Sequence, residues 1–262
     1  MKDTQERGPE CRLDLEKVGV TNLKTLVKTN YGGKAYRFVA DVTFTIDLAC
    51  DKKGVHMSRL VESITESVEE EAEKTHSSLE ELCRRTLEKI GEKHPHKNAQ
   101  IELETDLVVY SRTPVTGRKT MESHKVKVAV KKRGGEYLKE LTVTVLGNTV
   151  CPHAMEYAGK PHIQRATAKL TVETSFDKKV DLEELINMAE ESFSSRVYTL
   201  LKTEDEGKVV EDMHANPLFV EDVCRLILDK AASIKDSRIK AEVVSQESIH
   251  RHDVTASSRL TT

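Results

Sequence analysis

The chain has 262 residues, 37% of them hydrophobic and 32% charged, and 41 Lys and Arg stand against 44 Asp and Glu for a net charge of −3. That is core enough for one large domain or two of ordinary size, while the near-balanced charge, the absence of Trp and 4% aromatic content argue against a nucleic-acid partner. No apolar run approaches the roughly 20 residues that span a bilayer. The N-terminus lacks an apolar secretory core and the five cysteines are scattered, so a cytoplasmic protein with reduced thiols and no membrane contact is expected.

Residues 1–17 are polar, carry Gly8 and Pro9, and read as a flexible N-terminal arm. Leu23 to Thr29 and Arg37 to Ala49 flank the turn-forming Asn30-Tyr31-Gly32-Gly33; in the second run Phe38, Ala40, Val42, Phe44, Ile46 and Leu48 alternate as in a half-buried strand. The period then becomes helical at Leu60, Val61, Ile64 and Val68, and again, after Thr75-His76-Ser77, at Leu79, Leu82, Cys83, Leu87 and Ile90. Alternation returns at Ile101 to Val109 and at Val126 to Val130, completing a β-β-α-α-β-β block over 18–133.

Gly134-Gly135 separates it from a second block, 136–254, with the same order of elements. Leu141, Val143 and Val145 alternate, as do Ala168, Leu170 and Val172. A helix is predicted from Asp181, where Asp-Leu-Glu-Glu offers a cap, and another from Asn216-Pro217. A last strand runs from about Ile239 to Ile249, and 255–262 is expected to be a C-terminal tail. The fold class is α+β, each block a four-stranded antiparallel sheet with two helices on one face.

Chemistry concentrates in a few places. Cys151, His153 and His162 share one irregular segment between two strands, and a thiolate with imidazoles suits zinc or ferrous iron, or else a small buried thiol with solvated histidines. The segment Lys202 to Gly207 is a charged loop, solvated unless it serves a site. Glu221 opens a helix, where a carboxylate answers the dipole. His250 and His252 share a face at a strand end, as metal ligands, proton donors or an exposed tail. Gly54 to Arg59 opens a helix with His56 and Arg59, an arrangement suited to an anion.

Gly-Val-His-Met-Ser-Arg at 54–59, Cys-Pro-His at 151–153, His-Ile-Gln-Arg at 162–165, Asn-Pro-Leu-Phe-Val-Glu-Asp at 216–222 and Glu-Ser-Ile-His-Arg-His at 247–252 occur in this order. Together they resemble the type IB GTP cyclohydrolases, most closely the archaeal branch that opens methanopterin biosynthesis. The resemblance implies a tunnelling fold of two tandem β-β-α-α-β-β modules in each chain of a homotetramer, with active sites at subunit interfaces. It implies opening of the guanine imidazole ring of GTP at C8 with loss of formate, giving 7,8-dihydroneopterin 2′,3′-cyclic phosphate in the archaeal branch or dihydroneopterin triphosphate in bacterial relatives. One divalent ion per site is implied, Fe2+ in the archaeal branch and Zn2+ or Mn2+ elsewhere.

By motif, Cys151 and His162 are the implied metal ligands, with Glu206 as the carboxylate, Glu204 as its alternative, and His250 and His252 as the late histidines that ligate or move protons. Glu221 is the implied guanine anchor. His56, Arg59, Gln164 and Arg165 are implied on the substrate side, and His153 stands where bacterial members carry a second cysteine. Two other readings compete: a tunnelling-fold enzyme using Cys151 as a covalent nucleophile, as nitrile reductases do, and a non-catalytic binding protein with a structural zinc.

Overall fold

The computed structural model describes residues 4–31, 34–72, 78–94 and 96–262. The Gly32-Gly33 turn and the break at Thr75-His76-Ser77 lie outside the described residues. The elements are strands β1 (Leu15–Tyr31) and β2 (Lys34–Leu48), helices α1 (Met57–Ala72) and α2 (Leu79–Lys93), and strands β3 (Asn98–Arg112), β4 (Lys119–Arg133) and β5 (Glu136–Val150). There follow α3 (Pro152–Ala158), β6 (Ile163–Ser175), α4 (Leu182–Glu190), β7 (Ser195–Arg196), α5 (Thr203–Ala215), α6 (Val220–Ala231), β8 (Arg238–Ser245) and β9 (Val254–Thr261). The fold is α+β. No helix among the described residues is long and apolar enough to cross a membrane.

The chain forms two compact units, one of residues 1–105 with 127–140, the other of 106–126 with 141–262. The division does not fall at Gly134-Gly135. Those glycines, at φ 56° and 97°, make the tight turn between β4 and β5, a conformation that side-chain-bearing residues avoid. The strands on either side are each 15 residues, about 50 Å of extended chain, and contribute to both units.

In the first unit β1 pairs antiparallel with β2, and β2 with β3. The alternation of β2 buries Ala40, Val42, Phe44, Ile46 and Leu48, and the same unit buries Leu60, Ile64 and Val68 of α1 and Leu79, Leu82, Leu87 and Ile90 of α2. Ser78 Oγ accepts from Glu81 N at 3.2 Å and starts α2, whose Lys89 reaches back to Glu71 of α1 at 2.9 Å. Gly19 of β1 lies so close to β2 that a Cβ there would stand 1.9 Å from the Phe44 carbonyl oxygen.

In the second unit the hydrogen-bonded order is β3-β4-β5-β6-β8-β9, with the short β7 on β5. Ala168, Leu170 and Val172 of β6 and Ile239, Ala241 and Val243 of β8 meet Leu182, Leu185, Ile186, Val223 and Ile227 of α4 and α6. Asp181 Oδ1 caps α4 by accepting from Glu183 N and Glu184 N at 2.7 and 3.2 Å.

Four local expectations change. The segment after Cys151 is not irregular but holds α3, which Gly159 ends in a left-handed conformation at φ 64°. The charged 202–207 segment is the start of α5, because Asp205 turns back to accept from Lys202 N at 3.1 Å. The following helix starts at Val220 rather than Pro217, since Asp222 accepts from Phe219 N at 3.2 Å and fixes the start there. Finally, residues 255–262 are not a tail: they form most of β9, paired with β8 from Ser245↔Val254 to Arg238↔Thr261.

Candidate active site

The excursion from Cys151 to His162 closes on itself. Cys151 N donates to the His162 carbonyl at 3.3 Å, so the end of β5 and the approach to β6 stand side by side with α3 outside them. Cys151 is the N-cap of α3, its Sγ accepting from Ala154 N at 3.4 Å. Within β6, alternation sends Gln164 and Arg165 to opposite sides. Gln164 is buried and its Oε1 lies 2.8 Å from His162 Nδ1, whereas Arg165 is exposed.

The antiparallel pairing of β6 with β8 continues one step past the strand, where Gln246 N donates to the Arg165 carbonyl at 2.8 Å. This extension carries Glu247 to the cluster, its Oε2 3.9 Å from His162 Nδ1 and its side chain only 8% exposed. Ser245 Oγ donates to Glu247 at 3.1 Å and meets Thr149 Oγ1 at 3.2 Å. His250 and His252 lie in the β8–β9 connection rather than on a strand, which ends at Ser245. Their rings still stack, centroids 5.2 Å apart at 20°, and His250 meets the His162 ring edge-on at 6.4 Å.

Cys151, His162, Gln164, Glu221, Glu247, His250 and His252 line a single cavity of about 300 Å³, together with Leu218, Phe219 and Val220 at the start of α6. Residues more than a hundred positions apart therefore face one space. Glu247 was missed as a site residue in the sequence, although its motif was singled out; the signal available was its two-residue offset from Ser245, which puts both on the face of Gln164.

Other expected site residues lie elsewhere. Glu204 and Glu206 are exposed in the first turn of α5 and do not line this cavity. Between them Asp205 is buried. Burial alone would raise its pKa, but hydrogen bonds from Thr116 N and Oγ1, Val115 N and Lys202 N hold it well below the usual carboxylate range. His153 is exposed on α3, stacked on Tyr157 with centroids 6.5 Å apart. His56 and Arg59 line a cavity of about 880 Å³ built from first-unit residues, among them Lys52, Lys93, His94 and His96.

The donors around the smaller cavity are of the kind a borderline divalent ion takes: a thiol, imidazoles and a carboxylate. Gln164 Oε1 can only accept, so its 2.8 Å contact with His162 Nδ1 is a hydrogen bond when Nδ1 carries the ring proton, the form that leaves the Nε2 lone pair for a ligand. Among the described residues, no three His, Cys, Asp or Glu side chains already stand together as a metal cluster. The set fits a metal by chemistry.

The fold is that of the tunnelling-fold enzymes. A uricase from Arthrobacter globiformis superimposes with a TM-score of 0.59 at 10% identity over 94% of this chain and 93% of its own, and a uricase from Bacillus fastidious with 0.53 at 10% identity over 97% and 94%. The family model for type I GTP cyclohydrolase folE2 matches residues 1–256. A GTP cyclohydrolase MptA of Pyrococcus abyssi is 49% identical over 259 residues, and one of Thermococcus kodakarensis 49% identical over 260, each alignment covering 97% of both chains. The chain belongs to the type I GTP cyclohydrolase family, in the branch of the archaeal MptA proteins, and is a GTP cyclohydrolase.

Proposed function

We propose that the Cys151–His252 cavity takes the guanine of GTP and opens its imidazole ring at C8 with release of formate and, from the triphosphate, of diphosphate, giving 7,8-dihydroneopterin 2′,3′-cyclic phosphate for tetrahydromethanopterin biosynthesis. The observation that carries this is the convergence of Cys151, His162, Glu221, His250 and His252, from four separate segments, on one space. In this reading the chain holds two tandem tunnelling-fold modules and acts in the cytoplasm.

Cys151, His162 and His250 would hold one divalent ion, Fe2+ with Zn2+ or Mn2+ as substitutes. Its carboxylate ligand would be Glu206, as the family resemblance implies, or Glu247, which lines the cavity. An ion so held supplies Lewis acidity at the base and lowers the pKa of water. Glu221 accepts from guanine N1–H and the exocyclic amine, an ionised acceptor facing two donors. The stacked His250 and His252 move protons, one imidazole giving a proton to N9 as the C8–N9 bond opens. Gln164 and Arg165 are on the substrate side. His56 and Arg59, from a neighbouring chain of a homotetramer, would neutralise phosphate charge.

Anaerobic protein reconstituted with Fe2+, Zn2+ or Mn2+ is expected to release one formate per GTP, and phosphorus NMR is expected to identify the cyclic phosphate. Failure to release formate with all three ions would overturn the metal-dependent reading. A triphosphate product would replace the product assignment alone. Metal analysis of Glu247→Gln and Glu206→Gln decides which carboxylate is the ligand, the variant that loses metal naming it.

A further inference from the structure

His162 is held at two points. Its carbonyl accepts from Cys151 N at 3.3 Å, which fixes the backbone, and its ring is turned by what faces Nδ1. Both groups there are acceptors: Gln164 Oε1 at 2.8 Å and Glu247 Oε2 at 3.9 Å. Glu247 already accepts from Ser245 Oγ, which in turn meets Thr149, so the carboxylate is tied into its own chain of contacts. Gln164, 8% exposed and on the buried face of β6, makes the close contact.

An amide oxygen can only accept. The contact is therefore made when Nδ1 carries the ring proton, which leaves the lone pair on Nε2. A glutamine serves this purpose without adding a second negative charge beside Glu247. We propose that Gln164 is a positioning residue, one that fixes the tautomer and ring orientation of His162 so that Nε2 is the nitrogen available to a divalent ion. The functional consequence rests on His162 being a metal ligand; the tautomer itself does not. It goes beyond a substrate contact by Gln164, which would act on GTP rather than on the imidazole.

The test uses full-length protein labelled with 15N-histidine, freed of metal, with the His162 signals identified by their loss in His162→Asn. Two-bond proton–nitrogen spectra read the tautomer directly. Wild type and Gln164→Glu, which keeps the acceptor, are expected to carry the proton on Nδ1. Gln164→Met, of similar length but without an acceptor, is expected to shift it to Nε2 or to a mixture. Competition with a chromophoric chelator should then show Zn2+ bound about 10–100-fold more weakly by Gln164→Met, with affinity recovered in Gln164→Glu.

A proton on Nε2 in wild type, or an unchanged tautomer in Gln164→Met, would overturn the proposal. So would a raised KM with unchanged Zn2+ affinity, which would return Gln164 to the substrate. Should His162→Asn bind Zn2+ as tightly as wild type, the metal-ligand reading of His162 falls, and with it the consequence for the ion, whatever the spectra show.

Discussion

Glu221 is proposed to hold the guanine, and its neighbours bear on that role where position alone does not. An acidic residue in a first helical turn is ordinarily explained by the dipole. In α6 that task is already met by Asp222, whose carboxylate accepts from Phe219 N at 3.2 Å and pairs with Arg225 at 2.8 Å. Glu221 instead lines the cavity beside Leu218 and Phe219. Glu221→Gln keeps the size and turns one acceptor into a donor opposite the guanine N–H groups. GTP affinity should fall by about 1.5–3 kcal/mol, the loss expected of a hydrogen bond to a charged group, with the melting temperature unchanged. Binding of GTP as tight as in wild type would assign Glu221 to the helix rather than the base.

At the scale of elements, the reversal of expectation at 202–207 has a physical cause in Asp205. Its carboxylate accepts from Val115 N, Thr116 N and Thr116 Oγ1 of the β3–β4 connection at 2.9, 2.9 and 2.7 Å, and from Lys202 N at 3.1 Å. One side chain thus starts α5 and ties it to a connection some ninety residues earlier in the chain. Asp205→Ala would leave those donors without their acceptor in a buried setting. The melting temperature should drop by several degrees, and amide exchange at Val115 and Thr116 should quicken. Unchanged exchange at those two amides would show that the clamp does not hold the connection.

What could be read in the chain beforehand follows the range of the interactions. Alternation in β2, β6 and β8 and the helical period of α1, α2, α4 and α6 are local properties, and each of those elements is present, although α6 starts three residues later and β8 ends four residues earlier than the pattern suggested. The motifs at Cys151, His162, Glu221 and His250 to His252 are short and contiguous, and their proposed roles came from the resemblance to a family that those motifs carry. Asp205 was not legible, because a charged side chain signals nothing of a partner ninety positions away. Glu247 was not, because its place depends on the pairing of β6 with β8. The strand β9 was missed because Ser257, Ser258 and Arg259 break the apolar alternation, as an edge strand with one neighbour permits.

At the scale of the whole molecule, exposed ion pairs such as Lys24–Asp41 contribute little to stability and little to its dependence on pH. Near neutral pH two imidazoles lowered by burial, one in each unit, behave differently. His96 is held below the usual imidazole range by burial, its Nδ1 donating to the His94 carbonyl at 2.7 Å and its Nε2 having no hydrogen-bond partner. His124 is lowered by burial and by Arg196, against the opposing pull of Glu122; its Nε2 stands 3.5 Å from Glu190, whose own pKa burial raises. A depressed imidazole pKa means that the unfolded chain binds more protons than the folded one just below the ordinary value of about 6.5. Stability must then rise with pH through that window and be lost on acidification from neutrality. In metal-free protein at fixed concentration, the urea midpoint of wild type should fall more between pH 7.5 and 5.5 than that of His124→Gln or His96→Gln, since each variant removes one proton acceptor from the unfolded state. Equal falls in wild type and both variants would place the acid sensitivity elsewhere, and a wild-type midpoint higher at pH 5.5 would mean that protonated His124 gains more from Glu190 and Glu122 than burial costs it.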